Sequence, residues 1–357
     1  MIENKILGVG KLKLELLERI FKKYNDSNLL SNIDHLPFKK EYIKSKKRVK
    51  LGYSIGVDSA AIDIGDRYLI CKSDPVTFTT EDIGYYVVNI NANDIVTMGA
   101  IPRWFLVTIL LPEKKTTEQL VEKICLDIQK CCLEKGIVLV GGHTEVTHGL
   151  DRPIVIGSMF GEVKKDKLVK IDKCKPNDCI ILTKAIPLEG LSILAREKAE
   201  YLKSKGISDK IINKCREYLY DPGISVMKEA LLSVNNFSIH AMHDPTEGGL
   251  AMGLVELSIA SKLGFIIDES KIPKLPETDL ICNLFGVNPL GLLSSGSLLI
   301  VIDPKDAEIL KSILIKNGIN CEIIGNLIPE NRYLIKDING NINDLKYLEQ
   351  DELTKIF

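Results

Sequence analysis

Short apolar runs of strand length alternate with stretches of helical period along most of this chain. They do so in two series, separated by the charged, proline-bearing interval 164–178 (KKDKLVKIDKCKPND). In the first series the pattern predicts strands at 68–72, 104–111, 137–140 and 154–163, with helices over 82–98 and 117–134. In the second it predicts strands at 179–183, 238–242, 264–268, 297–302 and 321–325, with helices over 188–204, 223–235, 245–262, 277–286 and 304–317. An amphipathic helix over 11–24, carried by Leu12, Leu16, Leu17, Ile20, Phe21 and Tyr24, precedes both, followed by a polar linker. Such alternation packs helices onto sheets, and 357 residues exceed one ordinary core. The expected fold is therefore α/β (α+β) in two domains, 1–165 and 175–335, with a tail over 336–357.

Composition removes several classes of function. The formal net charge is -1 with both signs interspersed, which leaves no electrostatic footprint for nucleic acid or an anionic membrane. Nine cysteines in an irregular set, with Cys131 and Cys132 adjacent, suit reduced thiols in a cytoplasm better than a disulfide framework. The stretch 280–302 lacks charge, but its asparagines, serines, glycines and Pro289 read as helix, turn and buried strand rather than a membrane span. Motifs for a P-loop, a dinucleotide fold, a nucleophile elbow and a zincin are all missing.

Within this frame, four acids stand beside glycine or at the end of an apolar run: Asp58 in Gly56-Val57-Asp58, Asp74 in Lys72-Ser73-Asp74-Pro75, Asp94 in Asn91-Ala92-Asn93-Asp94, and Glu145 in Gly141-Gly142-His143-Thr144-Glu145. Ionised carboxylates near a core need a cation, a proton or hydrogen bonds. Four of them point to divalent metal, and metal beside glycine-rich turns points to phosphate. Asn91 and Asp94 share a helix face, and Asn89, Asn91, Asn93 and Asp94 together in an apolar helix read as functional rather than as loop caps. Asp74 precedes Pro75 at a strand end, where an Asx-turn is the structural alternative; Asp58 has the same alternative as a turn residue. Gly141-Gly142 let a ligand approach the backbone or form a simple turn, and His143 or Glu145 offers metal ligation. In Asp244-Pro245-Thr246-Glu247-Gly248-Gly249, Asp244 suits an N-cap with Pro245 at the first helical position and Glu247 at the third. Gly248 and Gly249 then need close packing or a ligand to justify them.

With these motifs and Ser294-Ser295-Gly296-Ser297 in order over 50–325, the chain resembles the AIR synthase (PurM-like) superfamily, most of all HypE and AIR-synthase-related proteins. The resemblance implies a two-domain PurM-like fold: an N-terminal mixed-sheet domain that binds ATP and Mg2+ and dimerises, and a C-terminal α/β domain. It implies metal ligation by Asp58, Asp74 and Asp94, and catalytic roles for Asp94, His143 and Glu145, with metal binding and proton transfer both open for the last two. Cofactor binding falls to Asn91, Asn93, Gly141, Gly142, Thr144, Lys184, Asp244, Thr246, Gly248 and Gly249. Val57 and His143 stand where relatives commonly carry acids, and the last cysteine is Cys321, inside an expected strand, where HypE proteins end in a cysteine. The expected activity is ATP- and Mg-dependent phosphoryl transfer to an amide- or carbonyl-type oxygen of a small or thiocarboxamide-like acceptor. The alternatives are a kinase resembling thiamine-monophosphate kinase and a non-catalytic nucleotide-binding accessory protein. Expected partners are a second copy and a maturation-partner protein, without nucleic acid or membrane.

Overall fold

A computed structural model describes residues 12, 14–23, 37–52, 58–348 and 350–357. Gly56 and Val57 lie outside the described residues, as do the ends of the expected 11–24 helix, of which α1 (Leu14–Lys23) is seen. The segment read as a polar linker contains α2 (Lys39–Lys46) and the short strand β1 (Val49–Leu51).

The first sheet joins β1, β2 (Ala60–Asp63), β3 (Arg67–Val76), β6 (Ile154–Lys164), β4 (Ile101–Pro112) and β5 (Val138–Thr147) in that spatial order, with β4 and β5 parallel and the other pairs antiparallel. Two helices, α3 (Ile83–Thr97) and α4 (Glu118–Glu134), cover one face. Alternation decides which side chains meet them: Phe105, Val107, Ile109 and Leu111 of β4 turn inward, while Trp104 and Leu106 stay exposed. Helix α3 is buried nearly all round, as an apolar helix without a polar face must be.

The second sheet runs β13 (Ile342–Asp344), β12 (Tyr333–Lys336), β9 (Gly264–Asp268), β11 (Cys321–Ile328), β7 (Cys179–Thr183), β10 (Leu299–Ile302), β8 (Ala241–His243). Both of its faces are covered. Ile180, Leu182, Leu299 and Val301 pack against α9 (Gly249–Ser261), and Ile181, Ile300 and Ile302 pack against α8 (Met227–Asn236) and α11 (Pro304–Lys316). The expected 188–204 helix is two helices, α5 (Leu188–Glu197) and α6 (Ala199–Ser204); α7 (Asp209–Glu217) and α10 (Thr278–Phe285) complete the set. The two halves are fastened by Asn93, whose carboxamide donates to Ile224 O (2.8 Å) and accepts from Val226 N–H (2.9 Å), and by the Arg196–Asp82 ion pair (3.0 Å).

Three local expectations change. Asp74 lies inside β3 rather than beyond its end, paired with Gly157. Pro75 follows it in the strand, paired with Ile156 of β6 beyond residues 68–71, where β2 stops. The 137–140 strand continues to Thr147, which puts Gly141 and Gly142 in mid-strand. Helix α9 starts at Gly249, not beside Asp244, so the capping box does not form; Gly248 takes the capping position with φ +79° and its N–H donates to Asp351 of the docked C-terminal segment (2.8 Å).

Candidate active site

Period two places Lys72 and Asp74 on the same face of β3 as the buried Tyr68 and Ile70, the face that meets α3. There the Lys72 ammonium lies 3.2 Å from Asp74 Oδ2 and 3.1 Å from Asp94 Oδ2 of α3. Asn91, one turn earlier on α3, accepts from Asp74 N–H (3.0 Å) and donates to Asp74 O (3.2 Å) and Val87 O (2.8 Å). Its carboxamide thus takes the place of the strand that β2 no longer supplies, and holds the backbone of Asp74 in position. Ser59 Oγ donates to Asp94 O (3.1 Å), which ties the segment carrying Asp58 to the same helix.

The second half contributes His243 and Asp244 at the end of β8. His243 Nδ1 is 2.9 Å from Asp58 Oδ2 and its Nε2 is 3.0 Å from Glu256 Oε2 of α9. With a carboxylate oxygen against each ring nitrogen, the imidazole donates from both. Burial opposes that charge, but Asp58 and Glu256 outweigh it and hold His243 well above the ordinary histidine range. Asp58, His243 and Asp244 offer ligand atoms all within 4.8 Å of one another. Asp244 is 1% exposed, and neither of its carboxylate oxygens has a hydrogen-bond partner among the described residues.

Asp58, Asp74, Asp94 and Asp244 therefore influence one another around Lys72. Burial, with Asp244, Asp74 and Asp58 adding to it against Lys72, pushes Asp94 well above the usual carboxylate range. Burial and Asp58 push Asp244 up to about 7 against the pull of His243 and Lys72. Lys72 itself is disfavoured by burial yet held well above the usual lysine range by Asp94, Asp74 and Asp58. Among the described residues, this cluster has more acid than its two cations balance. The partnerless oxygens of Asp244, among all-oxygen carboxylate donors, fit a hard divalent cation such as Mg2+.

The other expected site residues fall elsewhere. Asn93 serves the clip between halves. Lys184 is buried, with its ammonium 2.9 Å from Glu229 and donating to Gly223 O and Ser225 O, so it is committed to structure. Gly248 and Gly249 are explained by close packing: a Cβ on Gly249 would sit 2.6 Å from both Leu290 O and Leu292 O, and one on Gly248 2.6 Å from Met252 Cβ. Thr246 lines a cleft next to Asp74. Gly141, Gly142, His143, Thr144 and Glu145 are not brought to the carboxylates of their own chain. In register Asp74 faces Gly157, Gly157 faces Val107 and Val107 faces Gly142, which is three strand spacings or about 14 Å. His143 and Glu145 pair with each other at 3.1 Å on the exposed edge strand. A Cβ on Gly142 would lie 1.8 Å from Val107 O, so sheet packing accounts for that glycine.

Sequence reasoning missed Lys72, His243 and Glu256 as members of the site. Signals existed: Lys72 is two residues from Asp74 on one strand face, and Glu256 is the acid inside an otherwise apolar helix.

Comparison with known proteins agrees with this architecture. Residues 56–163 match the N-terminal domain of AIR synthase related proteins and 175–337 match their C-terminal domain. A protein named as a hydrogenase expression/formation protein of Methanocaldococcus jannaschii is 32% identical over 286 residues, 78% of this chain and 81% of that protein. The carbamoyl dehydratase HypE of Cupriavidus necator is 27% identical over 289 residues, 79% and 78% of the two chains. The thiamine-monophosphate kinase of Bacillus subtilis is 31% identical over 195 residues, 54% and 57% of the two chains. Among solved structures, E. coli HypE superposes with a TM-score of 0.71 at 21% identity, covering 84% of this chain and 93% of that one. HypE in complex with ATP gives 0.68 at 23% identity, covering 83% and 90%. These likenesses establish the fold.

Proposed function

Since the chain belongs to the AIR synthase related protein family, an ATP-using enzyme group, we propose that it transfers the γ-phosphoryl group of ATP, with Mg2+, to an amide- or carbonyl-type oxygen of a small acceptor. The observation that carries this reading is the meeting of Asp58, Asp74, Asp94 and Asp244 around Lys72, with both oxygens of buried Asp244 left without a partner among the described residues. Relatives named carbamoyl dehydratase, and a fold relative solved with ATP, support the choice of reaction.

Bound Mg2+ would neutralise phosphate charge as it develops during in-line transfer. The chain's own residues do the rest. Asp58, Asp74, Asp94 and Asp244 would hold the cation. Lys72, between Asp74 and Asp94, offsets part of the cluster's negative charge. His243, fixed between Asp58 and Glu256, orients Asp58 from the opposite domain. Because packing explains Gly142, Gly248 and Gly249, we assign the phosphates to metal and carboxylates rather than to a glycine cradle. Cys321 is unsuited to carry an acceptor, being 2% exposed with its thiol pushed up to about 11 by burial.

We also place a second copy against the open face of the first sheet, where Trp104, Leu106, Val138 and Val140 are exposed. The His143–Glu145 pair on β5 then belongs to that interface region. A maturation protein is a further proposed partner, supported by a fold relative solved as a HypE–HypF complex. All nine cysteines are free and, among the described residues, no helix is long and apolar enough to cross a membrane; we place the protein in the cytoplasm on its cysteine usage. The test is Mg-dependent ATP turnover by the full chain with carbamoyl and amide acceptors, following free phosphate and phosphorylated product. Phosphate retained in the product identifies a kinase instead, and tight ATP binding without turnover on any acceptor identifies an accessory protein.

A further inference from the structure

The interval that joins the two halves, residues 164–175, carries six lysines against two aspartates. Folded against the loop that follows α8, it encloses a cavity of about 330 Å³ that shares no lining residue with the cleft beside Asp74. Val169, Val234 and Ile239 floor this cavity, each no more than 5% exposed, and the half-buried Phe237 stands beside them.

Hydrogen bonds fix the walls on both sides. Val169 N–H donates to Met98 O at the end of α3 (3.2 Å), and the Lys167 ammonium donates to Val234 O in the last turn of α8 (3.1 Å). A Cβ on Gly99 would lie 2.7 Å from Lys167 O, so the linker is pressed onto the first half with no room for a side chain between them. A hollow beside such close packing has the volume of a small-ligand pocket, and its floor lacks dispersion contacts that an apolar group of matching size would supply.

The rim decides the charge of the occupant. A helix C-terminus favours a cation, but the last carbonyls of α8 are already satisfied by Lys167, by the Asn236 carboxamide on Leu232 O (2.8 Å) and by Phe237 N–H on Ser233 O (2.9 Å). Lys173, which closes the 3-10 turn Ile171–Lys173, also lines the cavity; it is half-buried and has no carboxylate partner among the described residues. The one acid in the lining, Asp166, is exposed to solvent, where its charge is screened. The Ser238 hydroxyl at the rim adds a donor. One unpaired ammonium above an apolar floor with an aromatic ring matches one negative charge on a flat hydrocarbon body.

We propose that this cavity is a second ligand site, which takes a small aromatic monocarboxylate, with the carboxylate on Lys173 and Ser238 and the ring against Val169, Val234, Ile239 and Phe237. No residue of the carboxylate cluster takes part, so the site stands whether or not the chain turns over ATP.

The test is saturation-transfer NMR on the full chain, titrating phenylacetate, phenylacetamide and phenethylammonium as probes of one shape and three charges. Phenylacetate should bind most tightly. Lys173→Met should weaken it by about tenfold, the worth of a hydrogen bond to a charged group, and Lys173→Arg should restore it. Ser238→Trp, whose indole fills the cavity from the exposed rim, should abolish binding, whereas Lys346→Met, beyond β13 at the opposite edge of the second sheet from β8, should change nothing. Melting temperatures confirm that the variants fold. No phenylacetate signal, a preference for the amide or the ammonium probe, or phenylacetate binding indifferent to Lys173→Met or to Ser238→Trp would each overturn the proposal.

Discussion

The carboxylate cluster and the β5 segment carry similar credentials in the sequence, an acid near glycines after an apolar run, yet they have opposite physical characters. Around Lys72 the acids are buried or half-buried, drawn from segments far apart in the chain, and left with more negative charge than the fold neutralises. On β5, Glu145 is about half exposed, pairs with its neighbour His143, and follows Gly142, a glycine that the adjacent strand requires. An acid signals a ligand when burial makes its charge expensive and nothing local offsets it. A glycine signals a ligand only after neighbouring backbone has been ruled out.

The largest expected effect separates the two regions by activity. Asp74→Ala or Asp94→Asn should lower Mg-dependent ATP turnover by about a hundredfold or more while the melting temperature holds, because these groups act on developing charge. Retained turnover would remove the residue from the mechanism. Next comes stability. Gly142→Ala should destabilise by about 2–4 kcal/mol in a denaturant titration, since the new Cβ meets the Val107 carbonyl at 1.8 Å. An unchanged midpoint would restore the possibility that Gly142 is there for a ligand.

Lys72→Met should destabilise the metal-free protein by about 3 kcal/mol, because Asp74 and Asp94 lose their shared cation, and Mg2+ should recover part of the loss. A variant indifferent to Mg2+ would argue that the cluster holds no divalent ion. The smallest effect is pH dependence. Glu189 is raised to about 8, Asp244 and Asp351 to about 7, and His243 is raised as well, so the folded state binds these protons more tightly than the unfolded state. Their contribution is present in full at low pH and is lost as pH rises through about 7 to 8. The metal-free melting temperature should fall between about pH 5.5 and pH 8.5, and less steeply with Mg2+, which takes the place of the Asp244 proton. A rise over that interval would contradict the burial assigned to these acids.

Much of this was legible from residue patterns. Periods of 2 and 3.6 locate most strands and helices, and polar residues within the apolar 82–98 run mark α3 as the helix that bears the site. What escaped depended on contacts across the chain. The extent of β5 follows from pairing with β4, which a Gly-Gly reading as a turn does not anticipate. Asp244 looks like an N-cap because Pro245 and Glu247 follow it, but Asp351, more than a hundred residues away, caps Gly248 and leaves Asp244 free for the cluster. Asn91 and Asn93 sit two residues apart on one helix, and only the fold shows that one secures Asp74 while the other joins the two halves.

Manganese paramagnetic resonance, titrating Mn2+ with a non-hydrolysable ATP analogue, compares the two regions in a single experiment. The wild type and a His143→Ala/Glu145→Ala double variant, assayed under conditions that keep each monomeric, should bind the metal–nucleotide complex alike, whereas Asp94→Asn should bind it at least about tenfold more weakly. Full binding by Asp94→Asn together with loss in the double variant would place the nucleotide on β5 and contradict the account.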